Sequence, residues 1–121
     1  MYCEAHTVTL TTATGTATGY TPVVTGRIIN VIYQKTDFAD GVDFTITTED
    51  TAQNVWVDTN INASETVAPR QPTHDAAGAA SLYAAAGEPV EDYIYACGER
   101  IKIAIASGGT SKTGTFIVIV G

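Results

Sequence analysis

A strict two-residue alternation near the end of the chain, Arg100-Ile101-Lys102-Ile103-Ala104-Ile105, sets the tightest limit on its fold. Successive strand side chains point to opposite faces, so this spacing puts three isoleucines on one face and the charges on the other. Tyr93-Ile94-Tyr95-Ala96 leads into it, and a Gly-, Ser- and Thr-rich segment, Ser107 to Gly114, follows. The chain then runs Thr115-Phe116-Ile117-Val118-Ile119-Val120-Gly121, apolar at every position from Phe116 to Val120. Such a run suits a strand covered on both faces, or one whose outer face meets another subunit. The whole stretch reads as a β-hairpin with a long loop. Its last strand ties that end of the chain into a sheet.

The preceding residues repeat the pattern. Val8 and Leu10 alternate with threonines from Ala5 to Thr12, and Thr18 to Val24 can return as a second strand that Pro22 confines to an edge or an end. Further strands are expected at Arg27–Tyr33, Val42–Thr48, Asn54–Asp58 and Ala63–Arg70, and Val90 to Ala96 opens the closing set. The segment His74–Ala86 is alanine-rich, which favours helix, but Gly78 interrupts it and only Leu82 and Tyr83 could anchor it. It reads as a long connection with at most a short helical piece. About eight short strands with almost no helix predict an all-β chain, a single-domain sandwich or jelly-roll-like barrel over residues 1–121.

Bulk properties narrow the function. At 121 residues and 45% apolar content the chain can bury a core without metals or disulfides. Its net charge of −7 argues against a sequence-independent grip on nucleic acid. No apolar run approaches the ~20 residues of a membrane span. Met1-Tyr2-Cys3-Glu4-Ala5-His6 has neither the basic nor the apolar region of a secretory signal. Cys3 and Cys97 read as reduced thiols, or as a disulfide if the first strand lies beside the Tyr93 strand.

Few residues offer chemistry. Asp37, Asp40 and Asp43 gather carboxylates around an Asp-Gly turn, which is a candidate calcium site or simply a solvated acidic turn. Cys3, His6, His74 and Cys97 could form a zinc set only by joining distant segments. His74-Asp75 lacks a nameable nucleophile, and Gly108–Gly114 lacks the glycine before Lys112 and the helix that a phosphate loop needs. The chain is therefore expected to be neither an enzyme nor a cofactor carrier. Trp56 reads as core. Tyr20, Arg70 and Tyr83 are candidate contact residues, since tyrosine and arginine are enriched at interface hot spots. Phe116 and Val118 join them if the final strand meets another subunit.

The segments Gly19-Tyr20-Thr21-Pro22-Val23-Val24-Thr25-Gly26-Arg27, Phe38 to Thr47, Ala68-Pro69-Arg70 and Gly98-Glu99-Arg100-Ile101-Lys102-Ile103 resemble a group of small β-rich virion proteins of tailed bacteriophages. The likeness spans nearly the whole chain and carries no motif-defined site. It implies a capsid decoration (cement) protein that binds the outside of the head in many copies. The implied partners are the major capsid protein and other copies of the chain, often as a homotrimer, and the implied location is the virion. A head–tail or tail component, or a calcium- or glycan-binding sandwich using Trp56 and the Asp37–Asp43 turn, are the alternatives.

Overall fold

The computed structural model describes residues 2–121, in which ten strands form and no helix does. In chain order they are β1 (Glu4–Thr11), β2 (Ala17–Tyr20), β3 (Val24–Lys35), β4 (Val42–Thr48), β5 (Asn54–Ile61), β6 (Glu65–Val67), β7 (Arg70–Pro72), β8 (Glu91–Glu99), β9 (Ile101–Ala106) and β10 (Thr113–Val120). One sheet runs β1-β10-β3-β8-β7, with β6 paired to the far half of β3; the other runs β2-β9-β4-β5. All pairings are antiparallel. The expected all-β sandwich is what forms.

Alternation explains the two layers. Val42, Phe44 and Ile46 of β4, Ile101, Ile103 and Ile105 of β9, and Phe116, Val118 and Val120 of β10 are all buried. They come from both sheets and point into one core. At its centre Phe44 meets Tyr33 at 4.8 Å, Phe116 at 4.9 Å and Trp56 at 5.0 Å between ring centroids, each edge to face. Such pairs add about 0.5–1.5 kcal/mol each beyond the area they bury. A bulge in β3, opposite Ile119–Val120, lets both Ile28 and Val31 reach the core although they are three residues apart.

The closing hairpin is a correction. β9 and β10 lie in opposite sheets, so Ser107–Lys112 is a crossing loop and not a hairpin turn. Both strands have period-two patterns, and that period says which face is buried but not which sheet the strand joins. The loop is held by its neighbours: Gly108 N–H donates to Gly15 O, Ala39 N–H to Gly108 O, and Ser111 N–H to Thr12 O. The expected strand at Ala63–Arg70 is also two short pieces, β6 on β3 and β7 on β8. His74–Ala86 carries no helix; two isolated bridges, His74 to Ala80 and Leu82 to Pro89, fold it back on itself.

β8 passes into β9 with one residue between them, and the chain changes sheets there. Gly98 takes φ +64°, a conformation that most side chains resist. Glu99, 4% exposed, turns inward and accepts hydrogen bonds from Asp50 N, Thr51 N and Thr51 Oγ1 at 2.9–3.1 Å. It thereby ties the β4–β5 turn to the sheet-switching corner. Burial pushes its carboxyl upward, but the hydrogen bonds from Thr51, Asp50 and Thr48 outweigh this and hold it below its ordinary value. Beside it, the Arg100 guanidinium grips both oxygens of Glu49 and lowers that carboxyl too.

Two measurements check this account. Tyr33 Oη is buried with no hydrogen-bond partner, and burial followed by the nearby Asp40 charge pushes its pKa up to about 12. Tyr33→Phe keeps the ring and removes the unpaired hydroxyl, so it should raise stability by about 1 kcal/mol in a urea titration. The second concerns acid. A carboxyl whose folded pKa is lowered adds stability that is complete above its unfolded value and drains away as pH falls through the folded one. Stability should therefore hold above the ordinary glutamate value of 4.5 and decline below it. Glu99→Gln should cost about 1–3 kcal/mol at neutral pH and flatten the acid limb.

Candidate functional site

β10 presents two unlike faces. Gly114, Phe116, Val118 and Val120 are buried, while Thr113, Thr115, Ile117 and Ile119 are half-buried on the side turned away from the core. Antiparallel partners share a face, so the pairings map that open surface. Ile117 lies between Thr7 and Ile32, with Thr66 beyond; Ile119 lies between Ala5 and Asn30; Thr115 lies between Thr9 and Gln34. Thr9 and Thr115 join their hydroxyls at 3.3 Å, as do Thr11 and Thr113. The centre is thus apolar, and the β1 margin is a ladder of threonines.

The opposite margin is aromatic and basic. Arg27 pairs with Tyr95, and Arg70 with Tyr93. The guanidinium carbons of Arg70 and Arg27 lie 4.0 and 5.1 Å from the centroid of the Tyr93 ring, a cation–π arrangement that fixes both side chains. Among its paired positions this face carries one acid, Glu91, opposite Pro72 at the outermost strand. The chain has 13 acidic and 6 basic residues, so a face with an uncharged centre and two arginines stands out. The outer face of the other sheet is unlike it, with Thr18, Tyr20, Asp43, Thr45, Thr47, Lys102 and Ala104. A solvated face of an antiparallel sheet ordinarily alternates to polar residues. The second sheet follows that rule except at Val57, opposite Thr45 and 53% exposed, and the first breaks it at three neighbouring positions, Ile32, Ile117 and Ile119.

The contact residues expected from sequence fall in different places. Phe116 and Val118 are fully buried, which corrects their assignment to an interface. A strand one residue out of phase would have exposed them, but Phe116 packs on Phe44, and this leaves Ile117 and Ile119 outside. Arg70 is on the open face. Tyr20 lies on the other sheet, where the Arg100 guanidinium covers its ring at 4.0 Å. Tyr83 is 76% exposed on the long loop between β7 and β8.

The chemical candidates do not converge. Asp37 accepts from Thr113 N, Asp40 pairs with Lys35, and Asp43 accepts from Asn60 N. Each carboxylate secures a different neighbour. Asp75 is likewise occupied, accepting from Ala77 N and Ala79 N. No three His, Cys, Asp or Glu side chains among the described residues form a metal-binding group, and no pocket opens there. Cys3 and Cys97 are both free and exposed. The β1 and β8 strands stand three steps apart in their sheet. That is about 14 Å, beyond the reach of a disulfide.

No family model, curated protein or solved structure matches the chain. The two faces of β10 should differ in their tolerance of change. Val118→Ala should cost about 2 kcal/mol and Ile117→Thr less than half of that, measured as shifts in urea midpoint.

Proposed function

We propose that the chain is a virion structural protein that decorates the outside of a bacteriophage capsid, laying the open face of the β1-β10-β3-β8 sheet on the shell. The observation that carries this reading is the row Thr7–Ile117–Ile32 with Ile119 beside it. An uncharged apolar centre with aromatic and arginine residues at its margin has the composition of a protein-binding patch. The resemblance to small phage virion proteins supplies the kind of partner, the major capsid protein. The physical basis is multivalency: a modest contact becomes a strong attachment when it is repeated over a symmetric lattice.

The calcium- or glycan-binding alternative loses the residues it was built on. Trp56 is 7% exposed and sits against Phe44, and the three aspartates serve the loops around them.

The test is binding of purified protein to capsids that lack it, read by co-sedimentation. Wild-type protein should bind in many copies, and Ile117→Lys with Ile119→Lys should weaken binding at least tenfold, equivalent to about 1.4 kcal/mol per site. Wild-type protein that ignores such shells would remove the proposal.

A further inference from the structure

The two sheets end in edges that are not equally protected. A bare edge is a template for another strand, and proteins blunt such edges by shortness, proline, bulges or charge. β2 is four residues long and is followed by Pro22; β6 and β7 are three residues each, and β7 ends in Pro72. β5 is bulged in two places against β4 and carries Asp58. β1 has none of these devices except one charge, Glu4 at its first position. It runs for eight residues, pairs with β10 without a register shift, and contains no proline, lysine or arginine. Among the described residues, no backbone hydrogen bond reaches Glu4–Thr11 from any strand but β10.

We infer that the free edge of β1 pairs with β1 of a second copy, antiparallel and across a twofold axis, to make one continuous sheet. Charge selects this occupant. Two molecules of net −7 repel, so their contact must avoid acid meeting acid. The single carboxylate of β1 is Glu4, at its first position. Antiparallel pairing sends the two copies of Glu4 to opposite ends of the ladder. In the register centred on Val8, Glu4 lies beyond the paired strand of the second copy, His6 faces Leu10, and Thr7 faces Thr9. Threonine opposite threonine is the pairing this sheet already uses at Thr9–Thr115 and Thr11–Thr113. A twofold axis normal to the sheet keeps both open faces on the same side, with the threonines of the two β1 strands lying between the apolar rows of the two copies.

The contact goes beyond the capsid reading and does not need the shell. It is also a twofold arrangement, distinct from the trimer that the resemblance implies. Sedimentation across a dilution series should give twice the 12.7 kDa chain mass. Thr7→Lys/Thr9→Lys opposes lysines across the axis and should yield a single-chain mass with an unchanged thermal melt. Thr7→Lys/Thr9→Glu places opposite charges across the same axis and should restore the paired mass. Ile117→Lys, on the open face, and Val57→Lys, on the β5 edge, should leave it paired. A single-chain or three-chain mass for wild-type protein overturns the inference, as does pairing that Ile117→Lys abolishes and the double-lysine variant spares. Protein that pairs as described but ignores capsids overturns the proposed function and leaves this contact standing.

Discussion

The edge-to-face packing of Phe44 against Tyr33, Phe116 and Trp56 is the contact on which the other features depend. Tyr33 and Phe116 come from one sheet, Phe44 and Trp56 from the other, so the cluster joins the layers and sets their phase. Strand side chains have a period of two, and a one-residue slip would exchange every inward group for an outward one. Seating Phe116 on Phe44 therefore decides that Ile117 and Ile119 face away. The outward, half-buried isoleucines of β10 follow from the aromatic core, since both are read from the same strand on alternate residues. Gly114 adds to the fit: a Cβ there would lie 2.3 Å from the Phe38 ring that closes the core beside Tyr33.

Much of the fold was legible in the sequence because it rests on alternation. β1, β4 and β9 follow from residues such as Val8 and Leu10, Phe44 and Ile46, and Ile101 to Ile105, whose inward faces need no knowledge of their partners. The topology was not legible, and the closing segment shows why. A hairpin and a sheet-to-sheet crossing have the same strand patterns; what separates them is the set of hydrogen bonds at the loop. Gly108 and Ser111 bond to residues of the β1–β2 connection, nearly a hundred positions earlier. A change of sheet at Glu99–Arg100 was hidden likewise, since a glutamate at a strand end looks solvated until its three donors from the β4–β5 turn are in place.

The candidate surface was half legible for a related reason. The apolar run Phe116–Val120 carried the message that both faces of the last strand were out of water. It could not say which residues belonged to which face, and the assignment to Phe116 and Val118 took the wrong set. Arg70 was singled out for its residue type, yet its partner Tyr93 lies 23 positions away and is found only through the β7–β8 pairing. Tyr20, chosen on the same grounds, stacks under an arginine already held by Glu49. Residue type names candidates, and the intramolecular partners decide which remain available.

Charge connects these surfaces to the way the molecule would meet others. Six of the 13 acids, Asp37, Asp40, Glu49, Asp50, Asp75 and Glu88, lie in loops and turns, and Asp43 and Asp58 lie on the other sheet. The apolar row and the β1 edge are without carboxylates apart from Glu4 at the strand end. At physiological ionic strength a charge is felt over about 8 Å. Copies that approach through their loops are therefore repelled, while approach along the open face or the β1 edge meets little opposing charge. The two uncharged surfaces adjoin along β1, whose side chains border the face and whose backbone forms the edge. Pairing at the edge would set a second apolar row on the same side, across the threonines of the two β1 strands, and double the area offered to a larger partner, without bringing one Glu4 against the other.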